Sequence, residues 1–226
     1  MAKDPRVAEA LGWLEKQGSE KTRVEAQVRY GITAKKSYGV KMGDVQALAK
    51  ALGRDHDLAA QLWDTGWYEA RLLCAYVDDP AKVTVAQMNR WAKDFDNWGI
   101  CDTVCFKLFD NVPGVWSRIE PWSKAKGEYE KRTAFALMAC MSLHGQATDA
   151  QLMKGLALCE KAATDERNFV RKSVSWALRS IGMRNKALHA ATSRVAARLA
   201  ASEDKTARSI GKEALRDLNK SKARIK

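Results

Sequence analysis

Apolar positions recur along this chain at intervals of three and four residues, and almost nowhere at intervals of two. The first spacing places side chains on one stripe of an α-helix, whereas strict alternation with β-branched residues would mark strands. The pattern predicts helices over roughly 5–17, 20–30, 41–53, 56–66, 68–77, 84–94, 98–110, 114–122, 128–143, 148–162, 167–182, 186–201 and 203–219. Local stop signals separate them: Gly18-Ser19, Gly39, Gly53, Asp78-Asp79-Pro80, Val112-Pro113-Gly114, Gly145 and Gly182. Paired into hairpins, these helices give about six units at a spacing of roughly 35–40 residues, which suits a HEAT-like α-solenoid, with a compact helical bundle as the alternative. No Pro/Gly/Ser linker divides the chain, so residues 1–226 are expected to form a single domain, with 220–226 as a frayed basic tail.

Three stretches put large or charged side chains off the apolar stripe. In Asn97–Phe109 the stripe is Ile100, Cys101, Val104 and Leu108, while Trp98 and Asp102, four residues apart, share a flank about 100–140° away. Asn97 is a natural N-cap there. The pair reads either as an interhelix indole beside a solvated carboxylate or as a functional flank. In Arg167–Ile181 the stripe is Val170, Val174, Ala177 and Ile181, and Trp176 is displaced by about 130° toward Lys172 and Arg179. An indole among cations suits nucleic acid, or it packs on the adjacent repeat beneath snorkelling Lys and Arg stems. Arg132 opens the third stretch, at the N-terminal end of a helix that is apolar all round from Ala134 to Leu143. The helix dipole disfavours a cation there, so Arg132 either pairs with Glu128 or Asp102 or grips a phosphate.

Charge sharpens this picture. The net charge is +12, from 39 Lys and Arg against 27 Asp and Glu, and it is not spread evenly. Residues 1–166 hold 23 cations and 23 anions; residues 167–226 hold 16 and 4. Arg167 to Ala200 carries eight cations and no acid. A basic C-terminal quarter on a neutral body points to a polyanionic partner or to a surface bias. No apolar run approaches the roughly 18–20 residues of a membrane span, so no membrane partner is expected. The start, Met1 to Pro5, lacks a signal-peptide core. Five cysteines, all within apolar helical patterns, favour reduced thiols and a cytoplasmic location. Phosphate-loop, dinucleotide-binding and nucleophile-elbow patterns are absent, the histidines 56, 144 and 189 are scattered, and Cys101 and Cys105 align with the core stripe; neither a metal nor a cofactor is expected.

These features together resemble the AlkD family of bacterial DNA alkylation repair enzymes, the HEAT-like repeat alkylpurine DNA glycosylases. The markers are Tyr38-Gly39-Val40, Leu62-Trp63 through Trp67-Tyr68-Glu69-Ala70-Arg71, Asn97-Trp98 with Cys101-Asp102, Lys131-Arg132, and Ser175-Trp176-Ala177-Leu178-Arg179. The resemblance implies an all-α solenoid with a concave DNA-binding face, acting on N3- or N7-alkylated purines such as 3-methyladenine and 7-methylguanine in double-stranded DNA. It implies Asp102 as the catalytic carboxylate, and Trp98, Trp176 and Arg132 as cleft residues. Lys172, Arg179 and Arg171 are expected as further backbone contacts, and the protein is expected to act as a monomer in the bacterial cytosol. Gly99 and Cys101 fall at variable positions of the family pattern and carry little weight. The alternative is a non-catalytic HEAT-like scaffold that binds DNA or protein.

Overall fold

The computed structural model describes residues 4–221, and side chains through Lys220. Its α-helices are α1 (Pro5–Gln17), α2 (Glu20–Tyr30), α3 (Met42–Leu52), α4 (His56–Asp64), α5 (Tyr68–Val77), α6 (Val85–Asp94), α7 (Trp98–Lys107), α8 (Ile119–Ser123), α9 (Glu128–His144), α10 (Asp149–Ala162), α11 (Asn168–Gly182), α12 (Lys186–Ala200) and α13 (Lys205–Ser221). No strand occurs among the described residues, and no helix there is long and apolar enough to cross a membrane.

Helix starts follow local chemistry. Asp4, Ser19, Asp55, Thr84, Asn97, Thr148 and Asn185 each accept a first-turn backbone N–H, meeting donors that the helix cannot use itself. Two expected helices are broken up. The one expected over 98–110 ends at Lys107, because Leu108 leaves helical geometry (φ −128°, ψ −63°) and a 3₁₀ turn, Phe109–Asn111, follows. The one expected over 114–122 is a 3₁₀ turn, Val115–Arg118, leading into the short α8; Gly114 turns the chain with φ 72°. In the expected tail, α13 carries on through Ser221, and residues 222–226 lie outside the described residues.

The chain divides into two compact units, residues 1–113 and 114–226. In the first, α3, α5 and α7 pack side by side as one row, and α4 packs against α5. The α4 and α6 helices meet through Trp63 and Trp91, whose rings stack at 3.9 Å and 3°. Links between equivalent positions here span about 30 residues: Gln46 to Tyr76 spans 30, and Trp63 to Asp94 spans 31. In the second unit α9, α11 and α13 form one row, with α10 and α12 behind it. There the offset is 38 residues, in Ser142 to Ser180, Ser175 to Glu213 and Glu160 to Arg198. A regular offset is the mark of a repeat, in which each helix pair buries its apolar face against the next.

Several resemblance markers turn out to be structural. Glu69 is fully buried (0% exposed), and its carboxylate accepts from Ser37 Oγ (2.7 Å) and from the N–H groups of Tyr38 (3.1 Å), Gly39 (2.8 Å) and Val40 (3.3 Å). A buried carboxylate is tolerated when donors surround it in this way. Gly39 has φ 76°, and a Cβ there would run into the backbone of Ser19 and Arg23, so the Tyr38-Gly39-Val40 segment can be drawn onto Glu69 only with glycine at its centre. Tyr38 stacks on Trp67 at 3.8 Å.

Candidate DNA-interaction and reaction residues

In the first unit the reaction candidates lie on α7. Asn97 caps it, its side chain accepting from Ile100 N–H at 3.1 Å. The stripe of Ile100, Cys101, Val104 and Leu108 is buried, as its spacing predicts. That leaves Trp98 and Asp102 one turn apart on a flank, each half-buried. Trp98 is not free to swing: its Nε1–H donates to the backbone oxygen of Tyr30 at 2.8 Å. Tyr30 ends α2, a helix with no buried residue. The Trp98 ring is therefore held by a carbonyl 68 residues back in sequence.

Gly99 carries more weight than the family pattern suggested. A Cβ there would come within 2.8 Å of Tyr68 Oη and 3.1 Å of Ile32 Cδ1. The first turn of α7 can approach α5 and the segment after α2 only because position 99 has no side chain. Burial pushes the Tyr68 phenol well above its ordinary range, with the carboxylates of Glu69 and Asp96 adding to the effect, so Tyr68 is a neutral packing partner at neutral pH. Cys101 and Cys105 are buried free thiols, as are Cys74, Cys140 and Cys159. Among the described residues no three His, Cys, Asp or Glu side chains gather where a metal ion could sit.

In the second unit Arg132 lies in the second turn of α9 and is 6% exposed. Its Nη1 donates to the backbone oxygen of Phe169 at 2.6 Å, and the guanidinium carbon stands 5.9 Å from the Phe169 ring centre. Glu128 accepts from Phe169 N–H at 3.0 Å. Two side chains of α9 thus grip both peptide groups of one residue in the first turn of α11. Glu128 and Glu130 in the first turn of α9 offset the unfavourable placement of a cation there.

Trp176 is half-buried on α11, and Lys172 beside it is exposed. Phe169 lies one further step along the same flank, at i−7 from Trp176, and the pattern reading passed over it. It contacts Tyr129 (centroids 5.4 Å) and lies under Lys172 Nζ at 5.8 Å. The signal was available in the helical spacing but was masked by the position of Phe169 at the start of the element. The result is an aromatic strip of Phe169 and Trp176 edged by Lys172, with Arg132 behind it.

The acid-free stretch is less bare than its sequence implies. Four of its eight cations reach acids elsewhere: Arg167 to Asp165 (2.6 Å), Arg179 to Asp217 (3.0 Å), Arg184 to Asp149 (4.0 Å) and Arg198 to Glu160 (2.7 Å). Arg167, joined by Lys131 at 2.9 Å, holds the Asp165 carboxyl well below the usual aspartate range. Arg179 is therefore partly neutralised before any ligand arrives. Among the described residues Arg171, Lys172, Lys186 and Arg194 have no ion-pair partner.

A family model described as DNA alkylation repair enzyme matches residues 12–218. One solved structure superposes with a TM-score of 0.79 at 15% identity, over 96% of this chain and 94% of that one. It is described as representing a new family of proteins related to the HEAT-like repeat DNA glycosylases, with affinity for branched DNA structures. A designed armadillo repeat protein aligns over 78% of this chain and 92% of its own, with a TM-score of 0.37 at 14% identity. No curated protein matches the chain.

Proposed function

Because this chain belongs to the family of DNA alkylation repair enzymes and has the HEAT-like fold, we propose that it is a DNA glycosylase hydrolysing the N-glycosidic bond of N3- or N7-alkylated purines in duplex DNA. The observation that carries the reading is the α7 flank. A half-buried carboxylate, Asp102, stands one turn from an indole, Trp98, whose orientation is fixed by a hydrogen bond to Tyr30.

The chemistry suits so sparse a set of groups. An N3- or N7-alkylated purine carries a positive charge and leaves C1′ as a neutral base with the bonding electron pair. It needs little help from a general acid. Positive charge instead develops on the deoxyribose, where a carboxylate stabilises it and orients the water whose oxygen bonds to C1′ as the water's proton passes to that carboxylate. Glycoside hydrolases oppose the same kind of charge with carboxylates. In this mechanism Asp102 is the catalytic carboxylate. Trp98 offers its π-face to the developing cation.

The strip on α11 supplies binding. Trp176 and Phe169 present flat apolar faces to sugar and backbone, Lys172 meets a phosphate, and Arg132 adds positive potential behind them. Arg179 contributes less than its charge suggests, because Asp217 already holds it.

The decisive experiment incubates the protein with methylated duplex DNA and measures free 7-methylguanine and 3-methyladenine. Release of free base supports the assignment. Salt-sensitive duplex binding with no base released would make the chain a DNA-binding member of the family without this chemistry.

A further inference from the structure

The helices α11 and α13 are tied by a ladder with a constant offset. Ser175 Oγ donates to Glu213 Oε2 at 2.7 Å, and one turn on, Arg179 Nη1 pairs with Asp217 Oδ2 at 3.0 Å; both links span 38 residues. The same offset one turn earlier matches Arg171 with Ser209. On that rung a cation and a hydroxyl, rather than a cation and a carboxylate, line one groove. A groove of about 480 Å³ opens there, lined by Arg171, Ser209, Lys212, Glu213 and Arg216.

The lining is strongly biased toward donors. Three side chains are cationic and Ser209 is a hydroxyl donor. Glu213, the single acid of the lining, accepts from Ser175. Ser209, Lys212 and Arg216 are exposed, and on an α-helix they share one face with Lys205 and Lys220. The two acids of α13, Glu213 and Asp217, both bond α11, and Asp217 also accepts from Arg216 at 3.2 Å, so the outward stripe carries cations without a carboxylate of its own.

We propose that the groove at Arg171 and Ser209 is a phosphodiester site that takes a backbone phosphate of duplex DNA, with Lys212 and Arg216 as its rim. The inference rests on DNA being the ligand of this chain and is independent of base excision. Guanidinium and ammonium groups around a hydroxyl match the acceptor oxygens of a phosphodiester, and an open groove admits a continuous strand.

The test is to complete the ladder. Ser209→Glu places a carboxylate opposite Arg171, as Asp217 stands opposite Arg179. The variant should melt at or above the wild-type temperature. Its affinity for a fluorescent 20-base-pair duplex should fall by about five- to tenfold at low salt, and the slope of log K against log salt should shrink by about 1, one phosphate contact. Lys212→Gln, an exposed change, should reduce the same slope. Wild-type affinity and slope in both folded variants would overturn the proposal. So would stabilisation of the wild type by millimolar inorganic phosphate that Ser209→Glu abolishes while duplex binding stays unchanged, since the groove would then serve a free anion. A reduced slope in a protein that releases no base keeps the groove and defeats the glycosylase reading. Base release with unchanged slopes does the reverse.

Discussion

Replacing Asp102 by Asn separates charge from shape. The two side chains are nearly isosteric, and Asp102 is half-buried on a flank whose neighbouring stripe stays packed, so α7 should keep its fold. What disappears is a negative charge close to the sugar as that sugar becomes cationic. Two unit charges about 4 Å apart attract by roughly 1 kcal/mol in water and roughly 4 kcal/mol at an effective dielectric constant near 20. A half-buried group facing bound DNA falls between these limits and toward the second, so the loss should be about 2–4 kcal/mol. That converts to a rate reduction of roughly 30- to 1,000-fold. The upper part of the range matches the cost of removing one preorganised transition-state contact in other enzymes, about 10²–10³. The assay is single-turnover release of 7-methylguanine from a methylated duplex at saturating protein, with duplex affinity measured in parallel. Affinity should hold or rise slightly, because a negative charge facing a polyanion has been removed. Excision within threefold of wild type would refute the role given to Asp102. A rate loss matched by an equal loss of affinity would refute a transition-state role and leave only a binding one.

Glu69→Ala should destabilise the protein by about 2–5 kcal/mol in urea titration, because the half-buried Tyr38 and the buried Gly39 and Val40 donors lose their acceptor; Glu69→Gln, which keeps one acceptor oxygen, should cost less. Asp165→Asn should cost roughly 1–3 kcal/mol at pH 7 through the lost pairing with Arg167 and Lys131. The folded-state pKa of Asp165 lies below its ordinary 3.8, so its stabilisation is complete above that value and fades as pH drops through the folded pKa. Wild type and variant should therefore begin to converge below about pH 4 and meet only as pH approaches the folded pKa, and a gap independent of pH would contradict the ion-pair account. Lys172→Glu should weaken duplex binding and lower the salt slope by about 1 without changing the melting temperature. Arg179→Glu should additionally lower the melting temperature, since it sets a second carboxylate against Asp217; equal melting of the two variants would mean that this ion pair does not stabilise the fold.

The chain's own order of residues determined what depends on near neighbours. Helix spans are legible because caps, glycine stops and the 3.6-residue stripe all act within a few positions, as at Asn97, Gly145 and Ile100. The same periodicity put Trp98 with Asp102, and Trp176 with Lys172, on their flanks before any tertiary contact was known. It could not say what those flanks would meet. An angle around a helix axis fixes a direction, while the partner in that direction comes from a part of the chain that the local pattern does not address. The tertiary fold alone brought Tyr30 to Trp98, gave buried Glu69 its donors from a segment about 30 residues earlier, and set Asp217 against Arg179. The count of charges meets the same limit: it does not say which cations are already paired. Counting along the chain groups cations by sequence, but screening and pairing act through space, and an offset of 38 residues supplied Arg179 and Arg198 with acids from other helices. The groove at Arg171 exists because that same offset finds a serine where the neighbouring rungs find carboxylates, a coincidence of two distant positions that only packing could make into a site.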